Sequence, residues 1–252
     1  KIIFLIFINL IKIFYFWNLR LFIKKEYYNK ILSKNYEFHL KKNSSKFIRD
    51  IIGEINAVSK NIIFPILTTV LDIFTLTGII IFSSLINLKI TLITFFLILA
   101  SSLIFSSIFK NKFKKYGKFR HQKEALKLKN LVETLRSIKI VIFEGKKNFF
   151  LNNFMNEDKF TLKASIINST VLNSIRYFFE TLLIIVLFFI ILSSYLSQTD
   201  MQDTIIIITF LTVAFLRIFP SLNKFTVLLN NLNFYKETIK HIAEILNDNS
   251  AE

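Results

Sequence analysis

Long, nearly uncharged runs of apolar residues constrain the fold of this chain more than any other feature of its sequence. They occupy residues 2–17, 62–86, 90–109, 177–196 and 204–222. A helix of about 20 residues crosses the ~30 Å hydrocarbon core of a bilayer, where only helices and closed barrels satisfy every backbone hydrogen bond. The runs therefore predict an all-α membrane protein with five spans. No small-residue cleavage site follows the first run, which favours a span over a signal peptide.

Basic residues are concentrated in the two long segments between these runs. Segment 18–61 holds ten Lys/Arg against four acids, and segment 110–176 holds sixteen against five. The short connections 87–89 and 197–203 are nearly free of them. Because Lys and Arg collect on the cytoplasmic side, the pattern places both long segments and the C-terminus on the cytoplasmic side of the cell (inner) membrane. Five crossings then put Lys1 outside, so we expect an earlier span to be missing from this sequence.

The composition excludes several other classes of function. The chain has no Cys, which removes disulfides and thiolate metal sites. His39, His121 and His241 lie far apart without ligand spacing, so we predict no metal site. The net charge of +16 follows membrane sidedness, and we predict no nucleic-acid partner. The same sidedness explains the basic residues that follow the third span, although they could also contact anionic lipid: Lys110, Lys112, Lys114, Lys115, Lys118 and Arg120.

The long segments keep helical periodicity. Apolar residues recur at three-and-four spacing in three stretches: Phe47, Ile51, Ile55, Val58 and Ile62; Leu128, Leu131, Leu135, Ile138 and Ile142; Leu228, Leu232, Tyr235, Ile239, Ile242 and Leu246. A helix over residues 45–86 would be about 60 Å long, roughly twice the hydrocarbon thickness. The sequence therefore predicts spans that continue far into the cytoplasm as packed helices.

Two breaks interrupt these extensions at their far ends. Asn43 or Ser44 is a suitable N-cap for the helix that comes next. Gly145 suits a helix C-terminus. Each break is either a docking point for a partner or an ordinary solvated turn, and the residue pattern leaves both interpretations open.

Asp72, Glu180 and Arg217 are ionisable residues inside the apolar runs, where charge is costly and usually faces a cavity or a partner. Asp72 and Arg217 lie at a similar depth, about 20 Å from the outer edge, and Glu180 is slightly deeper. They would surround a substrate cavity in which Arg217 meets an anionic head group. Alternatively, they form a mutual ion pair that only holds the helices together.

Two motifs resemble the type-1 transmembrane domain of ABC exporters, a resemblance that extends over residues 1–246. Residues 39–49 (HLKKNSSKFIR) resemble the family's first intracellular turn, and residues 137–147 (SIKIVIFEGKK) resemble the second. Residues 217–224 (RIFPSLNK), followed by Asn233, Phe234 and Tyr235, are similar to the sixth helix of exporters that flip lipid-linked oligosaccharides. The five spans would then be the second to sixth of the usual six, and residues 247–252 would begin a linker.

The resemblance implies a homodimeric exporter whose separate or fused ATP-binding domain holds ATP and Mg. It assigns the contacts with that domain to Leu40, Lys42, Asn43, Ser44, Phe143, Glu144 and Gly145. We expect no ATP hydrolysis by this chain, because its four glycines are isolated and none opens a phosphate-binding loop. A peptide or drug exporter is the nearest alternative. A non-ATP scaffold or lipid-modifying enzyme is the alternative from another class, but no cluster of catalytic polar residues favours an enzyme.

Overall fold

A computed structural model describes residues 2–41, 44–196 and 201–247 of the chain, and within these ranges it contains helices and no strand. The helices are α1 (Ile2–Leu32), α2 (Tyr36–Lys41), α3 (Ser44–Arg49), α4 (Ile55–Val58), α5 (Phe64–Arg136), α6 (Ile138–Phe143), α7 (Lys147–Leu196), α8 (Met201–Phe234) and α9 (Lys236–Asn247), with π-helical turns at Asp50–Glu54 and Ser59–Ile63. The predicted all-α class is confirmed. Five helical stretches are long and apolar enough to cross a membrane: Ile6–Leu32, Ser44–Phe82, Phe95–Arg136, Lys147–Leu196 and Thr204–Phe234. The chain is a multi-pass membrane protein.

The helices are much longer than a bilayer is thick. α7 has 50 residues and would be about 75 Å long if straight, against ~30 Å of hydrocarbon. The excess length carries the charge, since segments 18–61 and 110–176 contain most of the Lys, Arg, Asp and Glu. Charged side chains at this density are too costly to place in hydrocarbon. These segments therefore lie outside the membrane-spanning parts of the helices.

The sequence predicts a loop at residues 87–89, but helix α5 runs through these residues. The contacts of α5 nevertheless show that the chain reverses its direction within this helix. On one side of these residues, Asp72 pairs with Lys224 at 2.8 Å. On the other side, Ser102 bonds Thr226 at 2.5 Å. Lys224 and Thr226 are two residues apart, whereas residues 72 and 102 of a straight helix would be about 45 Å apart. The two apolar parts of α5 must therefore fold back on each other, as two separate spans require. The other predicted short connection, 197–203, lies partly outside the described residues, and α8 begins at Met201.

Two π-helical turns interrupt the helix that the sequence predicts from residue 45 onwards. Asp50 and Ser59 are nine residues apart, which places them on opposite faces of an ordinary α-helix. Each π turn, Asp50–Glu54 and Ser59–Ile63, adds about one residue to a helical turn and rotates the next part of the helix by about 100°. The first insertion lies between Asp50 and Ser59 and reduces the angle between them from about 180° to about 80°. Both side chains are completely buried.

The described residues form two compact units. Unit 1 consists of the described residues of 1–64, 112–168 and 231–252, and unit 2 consists of those of 65–111 and 169–230. Unit 1 has a core of Tyr27, Ile31, Phe47, Ile55, Ile242 and Ile245. Unit 2 has a core of Ile98, Phe105, Ile175, Phe179, Phe215, Ile218 and Leu222. Most of the charged extensions belong to unit 1, and most of the apolar runs after the first belong to unit 2.

The predicted sidedness can be tested because every introduced cysteine is unique in a chain that lacks Cys. A cysteine at Asn87 or Ser197 should react with a membrane-impermeant thiol reagent in intact cells, since both positions lie in lysine-poor connections. A cysteine at Lys146 should react only after the cells are permeabilised. Labelling of position 146 in intact cells would overturn the assignment of inside and outside.

Candidate functional site

The turn at residues 144–146 ends helix α6 as its sequence predicts. Gly145 has φ +65°, the left-handed conformation that glycine adopts at low cost. Its N–H donates to the carbonyl of Ile142 at 3.3 Å, and the N–H of Lys146 donates to the carbonyl of Val141 at 3.2 Å. These are the two bonds of a Schellman motif, which fixes the direction of the chain after the helix.

Periodicity alone does not predict the separate helix α6. The apolar pattern over residues 128–142 predicts one continuous helix, but the α-helix breaks at Ser137, whose φ and ψ are −98° and 21°. The next six residues form a separate short helix. Ile142 and Phe143 at its end are 69% and 86% exposed. Unit 1 therefore presents an apolar surface on a short helix of fixed orientation.

The first predicted tip lies beside the second. α3 begins at Ser44, whose hydroxyl accepts a hydrogen bond from the Arg136 guanidinium at 3.4 Å. Arg136 is the last residue of α5 and is followed by α6. Leu40, at the other side of this break, is 67% exposed. Lys42 and Asn43 lie outside the described residues. The fold thus brings both tips to one end of unit 1, although they are almost 100 residues apart in sequence.

The sequence leaves open whether Asp72 pairs with Arg217, and in the structure it does not. Its carboxylate accepts a hydrogen bond from Lys224 Nζ at 2.8 Å. Sequence reasoning misses Lys224 because it lies just beyond the end of the fifth apolar run. Lys224 follows Arg217 by seven residues, which places both on one face of α8, and that spacing is the signal that could have identified it.

Glu180 does not join Asp72 or Arg217 either. Its carboxylate accepts a hydrogen bond from Arg176 Nε at 2.7 Å, one turn earlier on α7. Both side chains of this pair are largely exposed. Unit 2 therefore separates the three predicted charges: Asp72 and Glu180 each have a basic partner, whereas no carboxylate among the described side chains pairs with Arg217.

Arg217 lines a cavity of about 600 Å³ between the first part of α5 and α8, inside unit 2. The other lining residues are Thr75, Gly78, Ile79, Phe82, Phe210, Val213 and Ala214. Apart from Thr75 and Arg217, the side chains that line it are apolar or absent. The Thr75 hydroxyl donates a hydrogen bond to the carbonyl of Asp72 at 2.8 Å. Arg217 is the one charged residue among the described residues that line the cavity. A cavity of this size accommodates much of a drug-sized or lipid-like molecule.

Unit 1 contains a second site that the sequence does not reveal, a buried cluster around Asp50. Asp50 Oδ2 accepts the Tyr27 hydroxyl at 2.7 Å and lies 3.1 Å from His241 Nε2. Asp50 Oδ1 accepts both Arg49 Nε and an Arg49 terminal nitrogen, at 2.9 and 2.6 Å. The Arg49 guanidinium also donates to the carbonyl of His121 at 3.2 Å. The carboxylate therefore joins α1, the first π turn, α5 and α9.

Glu54, one turn after Asp50, forms the other half of the cluster. Its Oε2 accepts an Arg120 terminal nitrogen at 2.7 Å and the Thr238 hydroxyl at 3.2 Å. His121 Nδ1 lies 3.8 Å from Glu54 Oε1, beyond hydrogen-bond distance. The Arg120 guanidinium also lies over the rings of Phe234 and Tyr235, 5.8 and 5.1 Å from their centroids. Arg120 therefore links the π turn to the junction between α8 and α9.

The cluster lowers the pKa values of its two carboxylates, Asp50 and Glu54, which belong to the charged segment 18–61 outside the spans. Burial alone would raise the pKa of Glu54, but His121 and the Arg120 guanidinium outweigh it and lower that pKa to about 2. Burial opposes ionisation of Asp50 as well, yet His241, Arg49 and Tyr27 hold its pKa below the usual value. Both carboxylates are therefore ionised at neutral pH. Arg49 and Arg120 balance their charge.

Sequence reasoning misses this cluster for a physical reason. Arg120 and His121 belong to a strongly basic segment, which positive-inside topology explains without any further role. The only signal is that Asp50 and Glu54 are four residues apart within an apolar stripe, a position where an unpaired acid would be destabilising. Tertiary packing supplies three of their partners, Arg120, Thr238 and His241, from helices more than 60 residues away. No protein-family model matches this chain.

Proposed function

We propose that this chain is the transmembrane half of an ATP-driven exporter or flippase of the ABC type-1 class. It moves an anionic amphipathic substrate, such as a lipid-linked sugar, across the cell (inner) membrane by alternating access. Two copies form the transporter, with ATP and Mg held by ATP-binding domains that are fused to the chain or separate. The observation that carries the proposal is the position of Arg217 in an apolar cavity at membrane depth, where no described carboxylate pairs with it.

The chemistry of the cavity matches such a substrate. An unpaired charge inside a membrane protein costs several kcal/mol or more unless it meets water or an opposite charge. An anionic head group supplies that charge, and a guanidinium binds phosphate oxygens in a bidentate manner. The apolar walls formed by residues such as Phe82 and Phe210 accommodate the hydrocarbon part. Arg217 thus orients the head group and the walls hold the chain.

The tips of unit 1 supply the coupling that an ATP-driven mechanism needs. Phe143 and Leu40 are exposed apolar residues on short helices, an arrangement suited to a groove on a partner domain. Gly145 fixes the turn after α6, and Arg136 ties this tip to Ser44. A partner that moves one tip therefore moves the other. In the proposed transporter this partner is the ATP-binding domain.

Replacement of Arg217 tests the site. Arg217→Gln should weaken the binding of a prenyl diphosphate in detergent micelles by about 10- to 100-fold, because a charge-assisted hydrogen bond to a buried anion is lost. Arg176→Gln is the matched control, since it removes an arginine of the same unit that lies outside the cavity. Thermal-shift titration measures both affinities. Equal affinities of the Arg217→Gln variant and the unmodified chain would remove the anionic site.

Gly78 allows the cavity to be closed without disturbing its walls, because a Cβ at this position meets no atom within 4 Å. Gly78→Leu should fill part of the cavity and reduce binding of the same probe, whereas Gly78→Ala should retain it.

Transport is then measured in vesicles that contain the complete transporter. Export that continues without ATP would contradict the ABC assignment and favour a different class of membrane protein.

A further inference from the structure

Helix α9 is an amphipathic strap that lies across unit 1. It buries Thr238, Ile242 and Ile245. Ile242 and Ile245 pack in the core with Tyr27 and Ile31 of α1. The opposite face is solvated, as the 69% exposure of the Lys240 side chain shows.

Polar contacts from Thr238 and His241 hold this strap in place. Two of them end on the π turn Asp50–Glu54, and Thr238 Oγ1 also lies 3.3 Å from an Arg120 terminal nitrogen and 3.2 Å from His121 Nδ1, both on α5. His241 Nε2 donates to Asp50 at 3.1 Å, since an ionised carboxylate can only accept. The Thr238 hydroxyl bonds Glu54 at 3.2 Å. These contacts are three residues apart on α9, so they lie on one face of the helix. The register of this one helical turn therefore decides whether Asp50 and Glu54 meet α9.

The closed arrangement leaves several buried polar atoms without hydrogen-bond partners among the described residues. They are Glu54 Oε1, Arg120 Nε and Ser59 Oγ. Each such atom costs free energy relative to its hydrated state. All three lie in or beside the π-helical stretch, so opening this region would return them to water. That gain offsets part of the cost of separating α9 from unit 1.

The π turn also supplies a second, discrete arrangement. A return of residues 50–54 to α-helical register would rotate the preceding residues by about 100° and remove Asp50 from the face that meets His241. Gly53, within this turn, borders open space, because nothing lies within 4 Å of where its Cβ would be. A two-state element of this kind is what conformational coupling requires.

We propose that Asp50 and Glu54 form a latch that holds α9 on unit 1 and releases it when the π turn 50–54 returns to α-helical register. The latch needs no assumption about substrate or transport, since all its contacts lie within unit 1. It couples the position of α9 to the conformation of α1 and of the helical stretch 44–63. Closed, the latch joins four elements; open, it frees α9 and the π turn together.

Hydrogen–deuterium exchange of the full chain in nanodiscs tests the latch. Thr238→Val removes one hydroxyl and preserves both side-chain shape and the Arg120–Glu54 pair. It should raise exchange of amides 236–247 about fivefold, and Asp50→Asn should raise it about 10- to 100-fold, in line with the loss of neutral and charged hydrogen bonds. Lys240→Gln, on the exposed face of the same helix, should leave exchange unchanged.

The signature of a latch is that two segments open together. Amides 50–63 should accelerate by the same factor as amides 236–247, while the unit 1 part of α7, residues 147–168, keeps its protection. Acceleration of 236–247 alone would show simple fraying of a terminal helix and overturn the proposal. Equal acceleration of all three segments would show general destabilisation and would also overturn it.

Discussion

A single methyl group at position 117 should disrupt the packing of unit 1. Gly117 of α5 lies so close to the end of α8 that a Cβ there would be 1.8 Å from the carbonyl oxygen of Phe234 and 2.6 Å from its carbonyl carbon. Backbone atoms within a helix cannot move aside as a flexible side chain can. Gly117→Ala should therefore force α5 and the α8–α9 junction apart, with a loss of at least about 3 kcal/mol in the free energy of unfolding.

Gly53→Ala provides the matched control. Gly53 also lies in a helical segment of unit 1, but a Cβ at this position meets nothing within 4 Å. Alanine has the higher helix propensity, so this variant should be unchanged or more stable by up to about 1 kcal/mol. Unfolding by SDS titration measures both variants. If Gly117→Ala unfolds at the same midpoint as the unmodified chain, the close approach of the two helices is wrong.

The pair of Glu54 and Arg120 should give the second large effect. Removal of one partner leaves the other as an unpaired charge, because Glu54 is 1% exposed and the Arg120 side chain is 12% exposed. Glu54→Gln and Arg120→Gln should each cost about 3 to 5 kcal/mol. The double variant should cost much less than the sum, since no charge is then stranded. Additive losses in this double-mutant cycle would show that the two residues stabilise the fold independently.

The same pair predicts the direction of acid sensitivity. The pKa of Glu54 is lowered in the folded chain from 4.5 to about 2, so its contribution is complete above pH ~4.5 and is lost as the pH falls towards 2. The shift corresponds to about 3 kcal/mol. The Glu54→Gln variant lacks this group and should lose less stability over that pH interval. A pH profile parallel to that of the unmodified chain would contradict the lowered pKa.

These effects converge on Arg120, which sequence reasoning treats as one of many basic residues. Its guanidinium bonds Glu54 and lies over Phe234 and Tyr235, and Gly117 on the preceding turn allows that close approach. Tyr235 in turn accepts a hydrogen bond from Asn61 at 3.1 Å. Close packing and a buried ion pair thus fix the same junction. Stability and the proposed latch therefore depend on one set of contacts.

Local sequence determines the features that depend on a single segment. Apolar runs of about 20 residues specify spans because no other structure buries them as well in a bilayer. The left-handed conformation at position 145 follows from glycine, since other residues adopt it only at a cost. Length and periodicity also specify that the helices extend beyond the membrane, as the 50 residues of α7 confirm.

Tertiary structure alone decides which faces meet, because sequence gives the depth of a residue in a helix but not the rotation of that helix against its neighbours. Asp72 and Arg217 lie at equal depth, yet Asp72 reaches Lys224 instead. Asp50 and Glu54 are the first and last residues of a π turn and are both buried, and a propensity scale cannot detect such an insertion. Their partners lie on α1, α5 and α9, because burying two carboxylates is tolerable only where distant helices bring opposite charge and hydrogen-bond donors to them.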